Sequence, residues 1–270
     1  MTASRRTVIF SVTVAFIAAQ LIVVLLHELS HVVAGFALGY GNELYPFGVT
    51  HHPDPDTADA AIAALTGPAF SLVIGVLALA IQPFRRRAGF AHLLWIWVAF
   101  TSVMEGVGYL VLTPFGVGDT GTTAESLGAP VVVSLACFAV GALGYVLLAR
   151  AFASVALRHT SGDLDALRCF TFYPWIFGTL VMLALCGANL LIAGSNFSGG
   201  EIFAVLMGTF ALGVFSPMAM PFTTGARKRQ PESVASEPLT LPRVPVTGIV
   251  IAVIIVAVNL LVLSTGLSIG

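Results

Sequence analysis

Residues 7–38 have the sequence TVIFSVTVAFIAAQLIVVLLHELSHVVAGFAL, an almost unbroken apolar stretch. As an α-helix that rises about 1.5 Å per residue it would be roughly 48 Å long, whereas the hydrocarbon core of a bilayer is about 30 Å thick. The helix must therefore tilt, project from the bilayer or break. The stretch predicts a transmembrane helix, and near its end it contains His27-Glu28-Leu29-Ser30-His31.

The pattern H-E-x-x-H places two histidines four positions apart. On an α-helix these positions lie on one face, so His27 and His31 can offer two imidazoles to one metal ion. Glu28 can reach a water molecule at that metal, and this is the ligand and general-base spacing of zinc metalloproteases. Such groups are costly to bury among apolar residues, which by itself indicates a functional site.

The composition indicates a membrane protein. Of the 270 residues, 57% are hydrophobic and 9% are charged, whereas soluble domains contain about 25% charged residues. The net charge of −1 says nothing about nucleic acid, but no basic patch alternates with aromatics, so we expect no nucleic-acid partner. The first apolar stretch exceeds a signal-peptide core and no A-x-A-like site follows it, so we expect no cleavable signal peptide. The three cysteines form no C-x-x-C pair, and Cys137 and Cys186 lie in apolar segments, where they fit packing better than metal binding.

About seven apolar segments predict an all-α, polytopic helical membrane protein. Between them we expect a polar loop at 40–57 with short extended pieces, a glycine-rich loop at 115–129 and a disordered linker at 223–244. The segments cover approximately 7–38, 58–81, 90–112, 131–148, 172–193, 202–220 and 246–263.

The basic residues predict the orientation of these segments. With the N-terminus in the cytoplasm, all 12 Lys and Arg residues fall on the cytoplasmic side, as the positive-inside rule requires. We therefore expect an integral multi-pass protein of the cell (plasma) membrane with a cytoplasmic N-terminus. In this topology His27, Glu105 and Asp119 converge in the outer half of the bilayer.

A catalytic zinc ion needs a third protein ligand, and the sequence offers two main candidates. Asp119 lies in the glycine-rich loop, which can bend into a cavity, although it could instead cap a short helix predicted by the capping-box spacing of Thr122 and Glu125. Glu105 lies on a polar stripe of the third segment. It could be a ligand itself, or it could orient a ligand histidine by accepting a hydrogen bond from the ring nitrogen that does not bind the metal. We favour Asp119 as the ligand and Glu105 as the orienting group.

Other ligands fit the sequence less well. His51 and His52 are adjacent in a proline-rich polar loop, where most histidines are solvated. A metzincin would have glycine and histidine where this chain has Ala34 and Ala37. The third ligand must therefore come from a distant part of the chain.

Together these residues resemble the site-2 protease family of intramembrane zinc metalloproteases (peptidase family M50). The resemblance covers roughly residues 20–125 and rests on three stretches: His27–His31, the segment Leu65-Thr66-Gly67-Pro68-Ala69, and Gly118-Asp119. It implies that His27, His31 and Asp119 bind Zn²⁺ and that Glu28 is the general base. In that family the aspartate usually precedes glycine inside a later helix, whereas here it follows glycine.

The resemblance also implies a division of the chain and a class of partner. Residues 1–129 would form the metalloprotease core, with three transmembrane segments and the ligand loop, and residues 130–270 an additional four-segment region. The substrate would be a membrane-embedded protein or peptide, reached within the lipid bilayer.

Two other functions fit the same residues. In a metal or proton transporter, ionisable groups would be strung along the membrane depth, whereas here they cluster on one side. In a catalytically inactive scaffold, the general base would be dispensable, whereas Glu28 is present.

Overall fold

The computed structural model describes residues 4–160, 163–193, 199–229 and 239–270. Most of these residues are helical. The helices are α1 Arg5–Leu38, α2 Thr57–Ala80, α3 Phe90–Leu112, α4 Gly118–Ser126, α5 Val131–Thr160, α6 Leu164–Phe170, α7 Phe172–Ala193, α8 Gly199–Ala211, α9 Phe215–Met218, α10 Thr223–Arg229 and α11 Val246–Leu261. Short 3₁₀ turns lie at Arg85–Arg87, Thr113–Phe115, Met220–Phe222 and Leu263–Thr265.

Seven helical spans in the described ranges are long and apolar enough to cross a membrane, which confirms the predicted all-α polytopic fold. Their limits differ from the predicted ones mainly in the second half of the chain. The fourth span continues to Thr160, and the sixth is broken after Ala211 and then resumes to Lys228. Gly213 and Pro217 explain the break, because glycine weakens a helix and proline removes a backbone donor.

The predicted disordered linker at 223–244 is wrong in its first part, because α10 Thr223–Arg229 is helical. Residues 230–238 lie outside the described part of the chain. Beyond them, Thr240 donates its backbone N–H to the carbonyl of Ala88 at 2.8 Å, which ties this part of the linker to the connection between α2 and α3.

Helix α1 is the centre of the bundle and packs against α2, α3, α7 and α11. Ser4 caps its first turn through a hydrogen bond from the Thr7 N–H, and Gly39, at φ +90°, ends it in the left-handed conformation that glycine adopts without strain. Near the middle of α1, Phe16 meets Trp97 of α3 edge to face, with ring centroids 5.2 Å apart. Aromatic residues of α5 and α9 complete this core.

Helices α2 and α3 approach closely through two glycines. A Cβ added to Gly75 would lie 2.6 Å from the backbone nitrogen of Val103, and one added to Gly106 would lie 2.9 Å from the carbonyl oxygen of Pro68. Small residues of this kind allow helix backbones to come together in a membrane. The close contact brings the polar residues of α2 and α3 within reach of α1.

A small antiparallel sheet occupies the polar loop after α1. The hairpin strands are β1 Gly41–Tyr45 and β2 Gly48–His52, as the extended pieces of that loop suggested. A third strand, β3 Leu267–Ile269, pairs with the other edge of β1, giving the order β2-β1-β3. The sheet rests on the end of α1, where Leu44 packs with Val32 and Leu263.

The segment that was predicted as a loop around Asp119 is helical instead. After α3 the chain turns through Gly116 (φ +65°) and Gly118 (φ +68°), and α4 begins at Gly118. These two left-handed glycines reverse the chain so soon that the helix starts four residues before Thr122. Thr122 is therefore not a cap, and its hydroxyl donates to the carbonyl of Gly118 at 3.0 Å.

Candidate metal centre

Three ligand atoms from α1 and α4 meet at one point inside the bundle. Nε2 of His27 lies 3.0 Å from Oδ2 of Asp119 and 3.1 Å from Nε2 of His31, and Nε2 of His31 lies 3.4 Å from Oδ2 of Asp119. These three atoms form the ligand triangle. The histidines are buried, whereas the Asp119 side chain is 24% exposed. Among the residues that the structure describes, His27, His31 and Asp119 are the one cluster of His, Cys, Asp or Glu side chains whose ligand atoms lie close enough together to hold a metal ion.

The size of this triangle fits one metal ion. Zinc binds histidine nitrogen and carboxylate oxygen at about 2.0–2.1 Å, and tetrahedral geometry then places neighbouring ligand atoms roughly 3.3 Å apart. The observed sides of 3.0, 3.1 and 3.4 Å match that edge. A tetrahedral ion held by these three atoms would keep one position open, which is the arrangement of catalytic zinc.

Hydrogen bonds on the far side of each ring determine which nitrogen faces the triangle with a lone pair. Nδ1 of His31 lies 2.8 Å from the carbonyl oxygen of Ala63, which can only accept, so Nδ1 donates. The hydroxyl of Ser71 donates to Glu105 at 2.7 Å and therefore accepts from Nδ1 of His27, 3.3 Å away. In the neutral rings both Nε2 atoms then present lone pairs to the triangle, as metal ligands do.

Asp119 completes the site as an anion. When His27 and His31 are protonated, their hydrogen bonds and positive charges outweigh the effect of burial and hold the pKa of the Asp119 carboxyl group well below its usual range. Asp119 lies in the first turn of α4, where the helix dipole also favours a negative charge. Two lone pairs and a carboxylate around one point repel one another unless a cation lies between them.

Glu105 lies on the other side of the His27 ring. Its Oε2 is 3.6 Å from Nδ1 of His27 and accepts the Ser71 hydrogen bond, so it faces away from both Nε2 atoms. The geometry therefore brings Asp119, and not Glu105, to the ligand triangle. Glu105 acts on the ring orientation of His27 through Ser71.

Glu28 follows His27 in α1 and lies three positions before His31. It is buried, and its carboxylate is within electrostatic reach of His27, His31 and Asp119. A carboxylate beside a metal site can accept a proton from water that enters there.

His51 and His52 lie outside the triangle. Nδ1 of His51 is 2.8 Å from Oδ1 of Asn42, its partner across the β1–β2 hairpin, and His52 is mostly exposed near Glu43. Burial and the neighbouring His31 and His52 lower the pKa of His51. His51 therefore belongs to the sheet that lies over the site.

Three residues of the site carry roles that sequence reasoning did not assign. Gly67 faces the ligand imidazoles so closely that an added Cβ would overlap His31 and would lie 2.6 Å from Cε1 of His27. Ser71 is the hydroxyl between His27 and Glu105, and Tyr109 stacks on His27 with ring centroids 5.0 Å apart and an interplanar angle of 7°.

The sequence contained one signal for two of these residues. Gly67, Ser71 and Gly75 follow one another at intervals of four, which forms a stripe of small residues on one face of α2. Such a stripe indicates the face that packs closely against neighbouring helices. For Tyr109 no local signal exists, because an aromatic residue in an apolar helix usually packs in the core.

Comparison of the chain with protein-family models, with curated proteins and with solved structures finds no match. The function is therefore inferred from the chemistry of the described residues.

Proposed function

We propose that the protein is an intramembrane zinc metalloprotease of the site-2 protease kind, with His27, His31 and Asp119 as zinc ligands and Glu28 as general base. The observation that carries the proposal is the ligand triangle, with sides of 3.0–3.4 Å and the buried Glu28 next to His27 in α1. Two imidazoles and a carboxylate with an open fourth position are the donor set of hydrolytic zinc sites.

The chemistry divides between the metal and the protein. Bound zinc would supply Lewis-acid polarisation of the scissile carbonyl and of water. Glu28 takes a proton from the attacking water, whose oxygen bonds to the carbonyl carbon. When the C–N bond breaks, Glu28 returns that proton to the leaving nitrogen. Ser71 and Glu105 keep the His27 ring in the orientation that this chemistry needs.

Exposure indicates the side from which substrate and water reach the site. The His27 side chain is 1% exposed and that of His31 is 8% exposed, whereas that of Asp119 is 24% exposed. The open side of the site is therefore the side of α4. A substrate helix must unwind locally there, because the hydrogen bonds of a helix shield its peptide bonds. By the distribution of Lys and Arg we place this side on the outer face of the plasma membrane.

The decisive experiment compares Glu28→Gln with wild type in proteoliposomes that contain a panel of tagged single-span peptides. New termini are identified by mass spectrometry, and zinc is measured in the same preparations. We expect cleavage to fall by about 10²–10⁴-fold, because general acid–base catalysis contributes that much, while zinc stays at one per chain. Glu125→Gln is the matched control, since Glu125 is an exposed glutamate of α4.

Different outcomes separate the rival functions. Full cleavage by Glu28→Gln contradicts the mechanism. Zinc uptake into proteoliposomes that persists in Glu28→Gln, without cleavage by wild type, favours a transporter. Stoichiometric zinc in Asp119→Ala together with its loss in Glu105→Ala contradicts the ligand assignment.

A further inference from the structure

Tyr109 of α3 contacts two of the three residues of the ligand triangle. Its ring stacks on the imidazole of His27, with ring centroids 5.0 Å apart and an interplanar angle of 7°. Its phenol hydroxyl forms a hydrogen bond with the side chain of Asp119, which as a carboxylate accepts it. Because His27 lies on α1 and Asp119 on α4, one side chain joins the two helices that supply the ligands. None of the catalytic steps assigned to Glu28 uses this tyrosine.

The carboxylate of Asp119 can accept from Tyr109 without losing its histidine partners. The distances of 3.0 Å to His27 and 3.4 Å to His31 both start from Oδ2, and Oδ1 makes neither contact. An ionised carboxylate has about four acceptor positions on its two oxygens, so a third donor fits. A phenol donor therefore restrains the carboxylate while Oδ2 remains directed at the ligand triangle.

The backbone before Asp119 does not by itself fix the direction of this side chain. Two glycines in the left-handed conformation precede it, Gly116 at φ +65° and Gly118 at φ +68°. Glycine adopts positive and negative φ about equally well, so side-chain contacts must decide how the first turn of α4 is rotated. The Asp119 side chain is also 24% exposed, whereas the two histidines are buried. Asp119 is therefore the ligand that most needs a further contact to keep its place.

Tyr109 supplies such contacts to three consecutive residues at the start of α4. A Cβ added to Gly118 would lie 3.0 Å from Cε1 of Tyr109, so the tyrosine ring packs directly on the glycine turn. The hydroxyl of Thr120 donates to the backbone carbonyl of Tyr109 at 2.6 Å, and Thr113 donates to Thr120 at 2.9 Å. With the hydrogen bond to Asp119, these contacts fix the rotation of α4 about its own axis.

We propose that Tyr109 is a positioning residue of the metal centre, which holds the Asp119 carboxylate through its hydroxyl and the His27 ring through its stacked face. This inference rests on the proposed function, from which His27 and Asp119 take their assignment as zinc ligands. The two contacts can be removed one at a time, because phenylalanine keeps the stacked ring and loses only the hydroxyl, whereas leucine loses both.

The test measures the zinc affinity of the full chain in detergent micelles by competition with a chromophoric chelator. Tyr109→Phe and Tyr109→Leu are compared with wild type, and Tyr145→Phe is the matched control. Tyr145 is also partly buried, but its hydroxyl faces Gly108 of α3, where an added Cβ would lie 3.2 Å from it. The visible absorption of bound Co²⁺ reports the ligand geometry in the same variants, and thermal unfolding of the metal-free protein reports their packing.

We expect Tyr109→Phe to bind zinc about tenfold more weakly than wild type and to change the Co²⁺ spectrum. The reason is that loss of a group that hydrogen-bonds to a metal ligand lowers metal affinity about 10–100-fold. Tyr109→Leu should bind zinc more weakly again, and Tyr145→Phe should stay within about twofold of wild type. When Tyr109→Phe is added to Asp119→Ala, zinc affinity should not fall further, because the hydroxyl then has no ligand to hold.

Four results would overturn the role of Tyr109. They are wild-type zinc affinity in Tyr109→Phe, an equal loss in Tyr145→Phe, an undiminished effect of Tyr109→Phe in the Asp119→Ala background, and a loss of zinc accompanied by a lower unfolding temperature of the metal-free Tyr109→Phe protein. The last result would mean that the hydroxyl serves packing alone. Because these readouts concern metal binding, absence of peptide cleavage by wild type contradicts only the protease function.

Discussion

Substitution of Gly67 by alanine tests the packing that forms the metal centre. The added Cβ would overlap the His31 ring and would lie 2.6 Å from Cε1 of His27. Carbon atoms in ordinary contact are about 3.5–4.0 Å apart, so the two rings must move by about 1 Å. Metal sites tolerate changes of only about 0.2 Å in ligand distance. We expect this variant to bind zinc at least about 100-fold more weakly than wild type. Mutation of groups that only hydrogen-bond to metal ligands already lowers metal affinity about 10–100-fold.

The fold itself should survive this change. Overpacking costs about 1–3 kcal/mol, and the higher helix propensity of alanine offsets about 1 kcal/mol of it. The assay is competition for zinc against a chromophoric chelator, combined with thermal unfolding of the same preparation. In the control Gly75→Ala, the new Cβ would meet the backbone of Val103 two turns further along α2. Gly75→Ala should lower the stability of the protein, but its zinc affinity should be at least tenfold higher than that of Gly67→Ala.

Two results would refute this reasoning. Wild-type zinc affinity in Gly67→Ala would show that the ligand rings are not held against α2. An equal loss of zinc in Gly75→Ala would show that any displacement of α2 disrupts the site and that the contact at Gly67 has no special role.

Three further changes test other parts of the structure. Ser71→Ala removes the hydroxyl that accepts from Nδ1 of His27, so zinc affinity should fall about 10–100-fold in the chelator competition, and an unchanged affinity would contradict the orienting role. His51→Ala should leave zinc binding within twofold of wild type, because His51 lies outside the ligand triangle, and loss of the metal would make it a ligand. Gly178→Ala drives a methyl group into the phenyl ring of Phe16 in α1 and should lower the free energy of unfolding by about 1–3 kcal/mol in thermal unfolding. Gly208→Ala, with open space where its Cβ would lie, should not lower it. Equal stability of the two variants would contradict the packing of α7 on α1.

The general architecture could be predicted because its signals are local. Each span needs about 20 consecutive apolar residues, and that requirement can be seen within the span itself. Boundaries were less predictable where a helix continues beyond its apolar segment, as α5 does to Thr160. The strand β3 could not be predicted, because its partner β1 lies more than 200 residues earlier and only the folded bundle brings the two together.

The start of α4 shows how backbone conformation corrected a prediction from side-chain spacing. Thr122 and Glu125 have the spacing of a capping box, yet the helix begins at Gly118. Positive φ angles at Gly116 and Gly118 turn the chain immediately after α3, and α4 then packs against α2 and α3. This shift places Asp119 in the first turn of a helix and aims its carboxylate at α1.

The seven apolar helices, and the position of His27, Glu28 and His31 on one of them, follow from the order of the amino acids alone. Hydrophobic length and the spacing of four residues on a helix are sufficient for that. The choice between Asp119 and Glu105 required the packed helices, because it depends on which nitrogen of His27 each carboxylate faces. That geometry arises from packing between helices distant in sequence, where Gly67 admits the two rings and Ser71 joins His27 to Glu105.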